Sequence, residues 1–374
     1  MIGDLLIFDL QENLKMDTAI FETMEKLQHE ELLFCQNEEF GLKAIIGIHS
    51  TVLGPALGGL RLYPYASESD AITDVLRLSR GMTYKAAISN LDLGGGKAVI
   101  IGNPSVKSEG LFRAFGRHVE SLGGRYITAE DMNTCEQDMG YISKETQWVT
   151  GLSKSDGGNG DPSPVTAWGV YHGLRACLNK HFGTPDPRGR KVAIQGVGSV
   201  GYYLSKYLSE AGAELFYSDI NQSNLQIVMS DFGGKVVDNS DFYATECDVL
   251  APCAIGATIN ERSIPIIKAP IIAGGANNQL EKEVEDGERV KERGLIYAPD
   301  YVINAGGLMS VYNELISHSK DLAMDRASGI YDTIGHILQR AEEQGITSIM
   351  ASNAIAEERI KMGSRLREHL LPRG

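Results

Sequence analysis

Long apolar runs are missing from this chain. None of its 374 residues falls in a stretch approaching the ~20 consecutive apolar positions of a membrane helix, so a helical membrane protein is excluded. Cysteine is sparse. Cys35, Cys135, Cys177, Cys247 and Cys253 are an odd number, scattered and without C-x-x-C spacing, which argues against a disulfide framework or a zinc site. Reduced thiols and a cytoplasmic setting are therefore expected. The eight histidines form no H-x-x-x-H pair and no Cys/His cluster, and no bound metal is expected. Basic residues are outnumbered: 35 Lys and Arg against 49 Asp and Glu give a formal charge of -14. The cations are also dispersed, so a polyanion such as nucleic acid would be repelled. At the start, MIGDLLIFDLQENLKMD has an apolar patch that Asp4, Asp9 and Glu12 interrupt, and no secretory signal is expected. Internal repeats and low-complexity segments are absent.

What remains is a globular composition, 43% hydrophobic and 22% charged, in a chain too long for one ordinary core. Two domains with a cleft between them are expected. From Arg190 to Asp300 short β-branched runs, glycine turns and amphipathic stretches alternate, as in a doubly wound parallel α/β sheet. Its strands would be VAIQ, AELFYSD, KVVD, CDVLAP, APIIAGG and LIYAPD, with helices at Val200 to Ala211 and Gln279 to Arg293. The first 150 residues also mix strands, GLKAIIGIHS and KAVIIG, with a helix from Ser67 to Tyr84. Between the halves GLSKSDGGNGDPSP reads as a hinge before the helical VTAWGVYHGLRACLNKHF. The boundaries expected are 1–150 and 151–347, with a helical tail, 348–374, returning to the first domain.

Gly196-Val197-Gly198-Ser199-Val200-Gly201 follows the strand KVAIQ and opens a helix. In that context the glycines allow a tight turn while the helix amides face a pyrophosphate. A bare G-x-G-x-x-G is weak in a chain with 42 glycines, and a plain strand-to-helix turn is the ordinary alternative. Asp219, ending the next strand, strengthens the case. An acidic side chain there accepts hydrogen bonds from a ribose diol and repels a 2′-phosphate, which favours NAD over NADP.

A second constellation lies in the first half: Gly58-Gly59, Lys85, Gly94-Gly95-Gly96-Lys97 and Asp131. A lone lysine is ordinarily a solvated charge and a glycine triplet ordinarily a loop. Lys97, however, sits between three glycines and the apolar run AVII, which suggests an ammonium in low dielectric. A lysine base working near neutrality must fall from ~10.4 to about 7–8, roughly 3–5 kcal/mol of differential interaction. Desolvation and a neighbouring cation can supply this; Lys85 is the candidate cation and can equally grip a substrate carboxylate. Asp131 would relay a proton or anchor an amino group, or else simply form a salt bridge with either lysine.

GPALGG, RLSRGMTYKAA, LGGGKAVIIGNP, RYITAEDMN, GDPSPVTAWGV, QGVGSVG, AGGANNQL and APDYVINAGG follow in order from Gly54 to Gly307. With these motifs the chain resembles the glutamate/leucine/phenylalanine/valine dehydrogenase family, closest to its leucine branch. The resemblance implies an N-terminal α/β substrate and oligomerisation domain, a C-terminal Rossmann-type NAD-binding domain, and a homo-oligomer, dimer or octamer. It implies that Lys97 is the catalytic base, that Lys85 binds the α-carboxylate, and that Asp131 assists proton transfer. Gly58 and Gly59 would give backbone contacts, with Met82 close by on the substrate side. Leu57, Ala129, Leu308 and Val311 would line the side-chain pocket. Thr166, Ile220 and Asn277 would join the glycine turn and Asp219 around NAD, Asn277 also touching substrate.

The implied reaction is reversible oxidative deamination of an apolar L-amino acid to a 2-oxo acid and ammonia. Apolar pocket walls leave a glutamate carboxylate without a partner, so leucine is favoured over glutamate. One methylene is worth only ~1–3 kcal/mol, and the chain departs from the usual leucine pattern at Gly59-Leu60-Arg61-Leu62-Tyr63 and in NAGGLMSVYNE. Phenylalanine, tryptophan and valine stay open. A hydroxy-acid dehydrogenase would need a His base and an Arg for the carboxylate, and no His has a comparable glycine-rich setting. A catalytically silent NAD-binding regulatory protein is the non-enzyme alternative.

Overall fold

The computed structural model describes residues 20–153, 155, 157–158, 160–316 and 320–370. The amino-terminal segment read above for a secretory signal lies outside them, as do Lys154, Asp156 and Asn159 of the expected hinge. Two compact units emerge. Unit 1 comprises Met1–Gly160, Glu314–His318 and Ala356–Gly374, and unit 2 comprises Asp161–Asn313 and Ser319–Ile355. The division thus falls within GLSKSDGGNGDPSP, and the chain touches unit 1 again at Glu314–His318 before its tail joins it from Ala356.

Unit 1 carries a mixed sheet of β1 (Glu31–Asn37), β2 (Leu42–Ser50), β3 (Ala56–Tyr63), β4 (Gly94–Ile101) and β5 (Tyr126–Glu130), in the order β1-β2-β4-β3-β5. Its helices before the linker are α1 (Ile20–Leu27), α2 (Glu68–Ile88), α3 (Glu109–Ser121) and α4 (Glu136–Ile142). The hairpin between β1 and β2 turns where Asn37 Oδ1 accepts from the Phe40 amide at 3.0 Å and Gly41 takes a left-handed φ of +66°. Successive side chains of a strand alternate between faces, and the sequence obeys this. Ala44, Ile46, Leu60, Leu62, Ala98 and Ile100 pack on one face with α3, while Ile45 and Val99 pack on the other with Ala71, Val75 and Leu76 of α2.

The glycine triplet, in general a loop feature, is here the start of β4, ahead of the expected KAVIIG strand. A Cβ on Gly94 would collide with the Ser50 carbonyl, one on Gly95 with the Thr83 backbone of α2, and one on Gly96 with the Tyr126 ring at 2.6 Å. The glycines are there for close approach rather than for flexibility. Ser67 caps α2 by accepting from the Asp70 amide, and the helix continues past Tyr84 to Ile88, so Lys85 lies inside its last turn.

Unit 2 is built on β6 (Lys191–Gln195), β7 (Glu214–Ser218), β8 (Lys235–Val236), β9 (Val249–Pro252), β10 (Ile271–Ile272) and β11 (Ile296–Tyr297), all parallel. Their order, β8-β7-β6-β9-β10-β11, reverses direction between β6 and β9, the topological switch point at which open α/β sheets bind ligands. Helices α5 (Ser163–Phe182), α6 (Ser199–Glu210), α7 (Gln222–Phe232), α8 (Glu283–Glu292) and α9 (Asp300–Ile303) follow the strands' rhythm. Beyond Ala305 the described residues are helical apart from short breaks: α10 (Gly306–Ile316), α11 (Lys320–Ser328), α12 (Ile330–Gln344) and α13 (Ser348–Leu370). In its unit 1 portion, α13 brings Arg359 to the end of α2. There its guanidinium donates to the carbonyls of Ala86, Ala87 and Leu91 at 3.2, 3.2 and 2.7 Å, satisfying groups a helix end leaves open.

Candidate active site

Strand alternation places the chemistry of unit 1 on the face that α2 covers. Val99 faces α2, so Lys97, two residues earlier, shares that face; the same period puts Leu57, Gly59 and Arg61 of β3 there, with Ala129 and Asp131 at the end of β5. Lys97 is buried, its side chain 6% exposed, and its Nζ stands 3.0 Å from Asp131 Oδ2. The same oxygen accepts from Arg61 Nε at 2.9 Å. Arg61 Nη1 reaches Asp74 Oδ2 on α2 at 2.8 Å, and the Tyr65 hydroxyl donates to that oxygen at 2.6 Å. A continuous network, Lys97–Asp131–Arg61–Asp74–Tyr65, results.

The glycines make room for it. A Cβ on Gly59 would stand 2.8 Å from the Asp131 Cβ and 2.6 Å from the Glu130 carbonyl oxygen, and one on Gly58 would run into the Gly96 carbonyl. The Gly58 carbonyl is already engaged, accepting from the Tyr126 hydroxyl at 2.6 Å. Leu57 and Ala129 are buried apolar positions on the Lys97 face. Met82 and Lys85, half-buried and three residues apart, share one side of α2 just beyond Thr83, the residue that abuts Gly95.

Burial pushes Lys97 below the ordinary lysine range; attraction to Asp131 opposes this, and the Arg61 cation adds to it, with burial prevailing. For Asp131 burial acts upward, but Lys97 and Arg61 outweigh it and hold the carboxyl below its usual value. Arg61 is a neighbouring cation of the kind the sequence reading sought for Lys97. A low-lying amine beside an ionised carboxylate can take a proton from water and pass it on.

In unit 2 the turn Gly196–Gly201 joins β6 to α6 at the switch point. Gly196 adopts φ +84°, and a Cβ there would meet Ala254 Cβ at 2.6 Å, so two loops close on each other. A Cβ on Gly201 would strike the Gly196 carbonyl, which makes that position a packing glycine. Gly198 and Ser199 are exposed and nothing lies within 4 Å of a Cβ on Gly198, so the start of α6 is uncrowded at this turn. This fits an anionic pyrophosphate. Asp219 Oδ2 accepts from the Val197 amide at 2.7 Å and Oδ1 from Asn221 at 2.8 Å, which ties the carboxylate to the turn; Ile220 beside it is 91% exposed.

Asn277 is exposed, its Oδ1 held at 2.6 Å by Asn304 Nδ2, and buried Gln279 braces the same loop by donating to the Gly274 and Ala276 carbonyls at 2.7 and 3.1 Å. Thr166 stands in the first turn of α5, where its hydroxyl donates to Pro162 O at 3.1 Å and would lie 3.0 Å from a Cβ on Gly307. Leu308 and Val311, one turn apart on α10, belong to unit 2. Arg61 entered the sequence reading only within the departure Gly59-Leu60-Arg61-Leu62-Tyr63, and Asp74, Tyr65, Asn304 and Gln279 were given no site role there. The period-2 signal would have found Arg61, since it is two residues beyond Gly59. Among the described residues no His/Cys/Asp/Glu group could hold a metal ion, the five cysteines are free, and no helix is long and apolar enough to cross a membrane.

Comparison with known proteins bears on the family and the fold. The family model described as "Glu/Leu/Phe/Val dehydrogenase, dimerisation domain" matches residues 29–148, and the one described as "Glutamate/Leucine/Phenylalanine/Valine dehydrogenase" matches 216–366. The chain is 51% identical over 356 residues to leucine dehydrogenase of Bacillus subtilis (strain 168), covering 95% of this chain and 98% of that protein. It is 47% identical over 351 residues to phenylalanine dehydrogenase of Bacillus thermotolerans, covering 92% and 91%. The crystal structure of L-tryptophan dehydrogenase from Nostoc punctiforme superposes with a TM-score of 0.85 at 44% identity, covering 93% of this chain and all (100%) of that one. With two matched family models and half its residues shared with such relatives, the chain belongs to the glutamate/leucine/phenylalanine/valine dehydrogenase family.

Proposed function

We propose that this amino-acid dehydrogenase oxidises L-leucine with NAD, Lys97 serving as the base that yields the 2-oxo acid and ammonia. The observation that carries the reading is the buried Lys97 amine 3.0 Å from the Asp131 carboxylate. Lys85 offers the substrate carboxylate a point charge. Arg61 and Lys97 both occupy Asp131 Oδ2, which leaves Oδ1 to take a hydrogen bond from the substrate amino group. When bound at the Gly196–Gly201 turn, with Asp219, Ile220, Thr166 and Asn277 around it, NAD supplies the two-electron acceptor for the Cα–H bond. Loss of that bond leaves an iminium carbon on the substrate. Neutral Lys97 removes a proton from the water that adds to it, and the carbinolamine collapses to ketone and ammonia, with Asp131 relaying the proton. Deamination therefore rises with pH through the Lys97 titration, below the ordinary lysine range because burial disfavours the ammonium.

Leucine is favoured by the leucine relatives and by apolar Leu57, Ala129, Leu308 and Val311, which offer a substrate carboxylate no partner. NAD is favoured by Asp219, whose charge repels a 2′-phosphate. A homo-oligomer is supported by the match to a dimerisation-domain model, and a cytoplasmic setting by free cysteines. The test is NADH formation at alkaline pH with leucine, valine, phenylalanine and tryptophan, L-2-hydroxy acids serving as controls. The highest kcat/KM is expected with leucine. A higher value with phenylalanine or tryptophan transfers the assignment to that relative, and turnover of hydroxy acids alone contradicts it.

A further inference from the structure

We propose that Arg61 is a positioning residue of the deamination reaction: it pins Asp131 through the oxygen that meets Lys97, orients the other oxygen towards the substrate amino group, and is itself fixed by Asp74 and Tyr65. The inference rests on the reading of Lys97 as the base. Its basis is geometric. Asp131 Oδ2 receives Arg61 Nε at 2.9 Å and Lys97 Nζ at 3.0 Å, so one oxygen is saturated by two cations. A lone Lys97–Asp131 pair would let the carboxylate rotate about χ2 and exchange its oxygens. The Arg61 fork removes that freedom because its other arm, Nη1, is bound at 2.8 Å to Asp74 Oδ2. Asp74 is immobilised in turn by Tyr65 at 2.6 Å on Oδ2 and by Arg77 at 2.9 Å on Oδ1. All three linked side chains are largely shielded, with exposures of 17% for Arg61, 15% for Asp74 and 26% for Asp131, so water competes weakly for these bonds.

Position also makes Arg61 an electrostatic partner of the base. Its positive charge opposes protonation of Lys97, whereas the negative charge of Asp74 favours it. The two anchors of one network therefore push the same amine in opposite directions. A bridge that merely held β3 to α2 would produce no such opposition in the pH dependence of turnover.

The experiment compares Arg61→Met, Arg61→Lys and Asp74→Asn with the wild-type enzyme. Measured for each are kcat and KM for leucine across pH, the Kd for NAD, and the thermal midpoint. Arg61→Met is expected to lower kcat roughly 10²-fold with an unchanged NAD Kd, and to move the acid limb of kcat/KM upward by about 0.5–1 pH unit. Asp74→Asn is expected to lower kcat about tenfold and to move that limb downward. Arg61→Lys keeps the charge without the fork, so it restores the wild-type limb while kcat stays about tenfold low. If Arg61→Met does not fold, the opposite limb shift of Asp74→Asn and the split response of Arg61→Lys carry the test alone. A folded Arg61→Met with wild-type kcat and pH limb overturns the proposal; so does any set in which activity tracks thermal midpoint while the limbs stay fixed. Failure of the underlying reading looks different: Lys97→Ala would then turn over leucine normally, whatever Arg61 does.

Discussion

The face of unit 1 that carries Lys97 is crowded with interlocked charges, whereas the glycine turn of unit 2 presents little but backbone. In unit 1 the proposed reacting groups are side chains, so precision requires charged partners and glycines that remove whatever would stand in their way. The gaps at Gly58 and Gly59 are filled by Gly96, Glu130 and Asp131 themselves. In unit 2 the proposed recognition elements are the first amides of α6, and the glycines at 196 and 201 allow the tight turn that precedes them. On the proposed reading, buried charge carries the chemistry in unit 1 and backbone donors carry the recognition in unit 2.

Adding one methyl group to each region separates the two roles. Gly59→Ala presses on Asp131 and is expected to reduce kcat about 100-fold with NAD affinity unchanged, while Gly201→Ala, which strikes the Gly196 carbonyl, is expected to weaken NAD binding by a similar factor. Steady-state kinetics with a direct NAD titration checks the pair, and a fall in NAD affinity from Gly59→Ala would break the contrast. Next in size, Lys85→Ala is expected to raise KM for leucine roughly 30-fold with a smaller change in kcat; an unchanged KM contradicts its carboxylate role. Asp219→Ser is expected to improve the NADP-to-NAD ratio of kcat/KM about tenfold, and an unaltered ratio would mean that another group sets cofactor choice.

The smallest effect concerns stability. Against α2, His29 and His49 stack edge-to-face at 4.7 Å, and His49 bonds Thr83 Oγ1 at 2.7 Å. Burial lowers them to about 4 and about 3 respectively. Both are neutral in the folded state, so their contribution is complete above ~6.5 and is lost as the pH falls from there towards those lowered values. Thermal midpoints should drop across that window, and less steeply in His49→Gln. A midpoint flat from pH 7 to pH 4.5 would contradict the prediction.

Unit 2 was the more legible in sequence because its parallel strands are short β-branched runs bounded by glycine, and all six expected strands form. Its candidate site was easy to single out, since a tight turn and the acid after the next strand lie close along the chain. Unit 1 was read less completely. β3 was hidden by Gly58-Gly59 and by Arg61, residues that weaken a strand signal, and β1 and β5 were also not anticipated. The glycine triplet was not read as part of the KAVIIG strand, because its reason, contact with Ser50, Thr83 and Tyr126, involves elements far apart in sequence. Lys97 and Asp131 stood out by type and surroundings. The partnership of Arg61 with Asp131, 70 residues away, depends on strand pairing that composition does not reveal.

The central claim is that Lys97 is the base and takes no part in holding NAD. Turnover of leucine by Lys97→Ala, with the NAD Kd measured on the same preparation, tests it most directly. The account predicts a loss of about 10³-fold in kcat at unchanged NAD affinity. A variant that turns over leucine at the wild-type rate would contradict it.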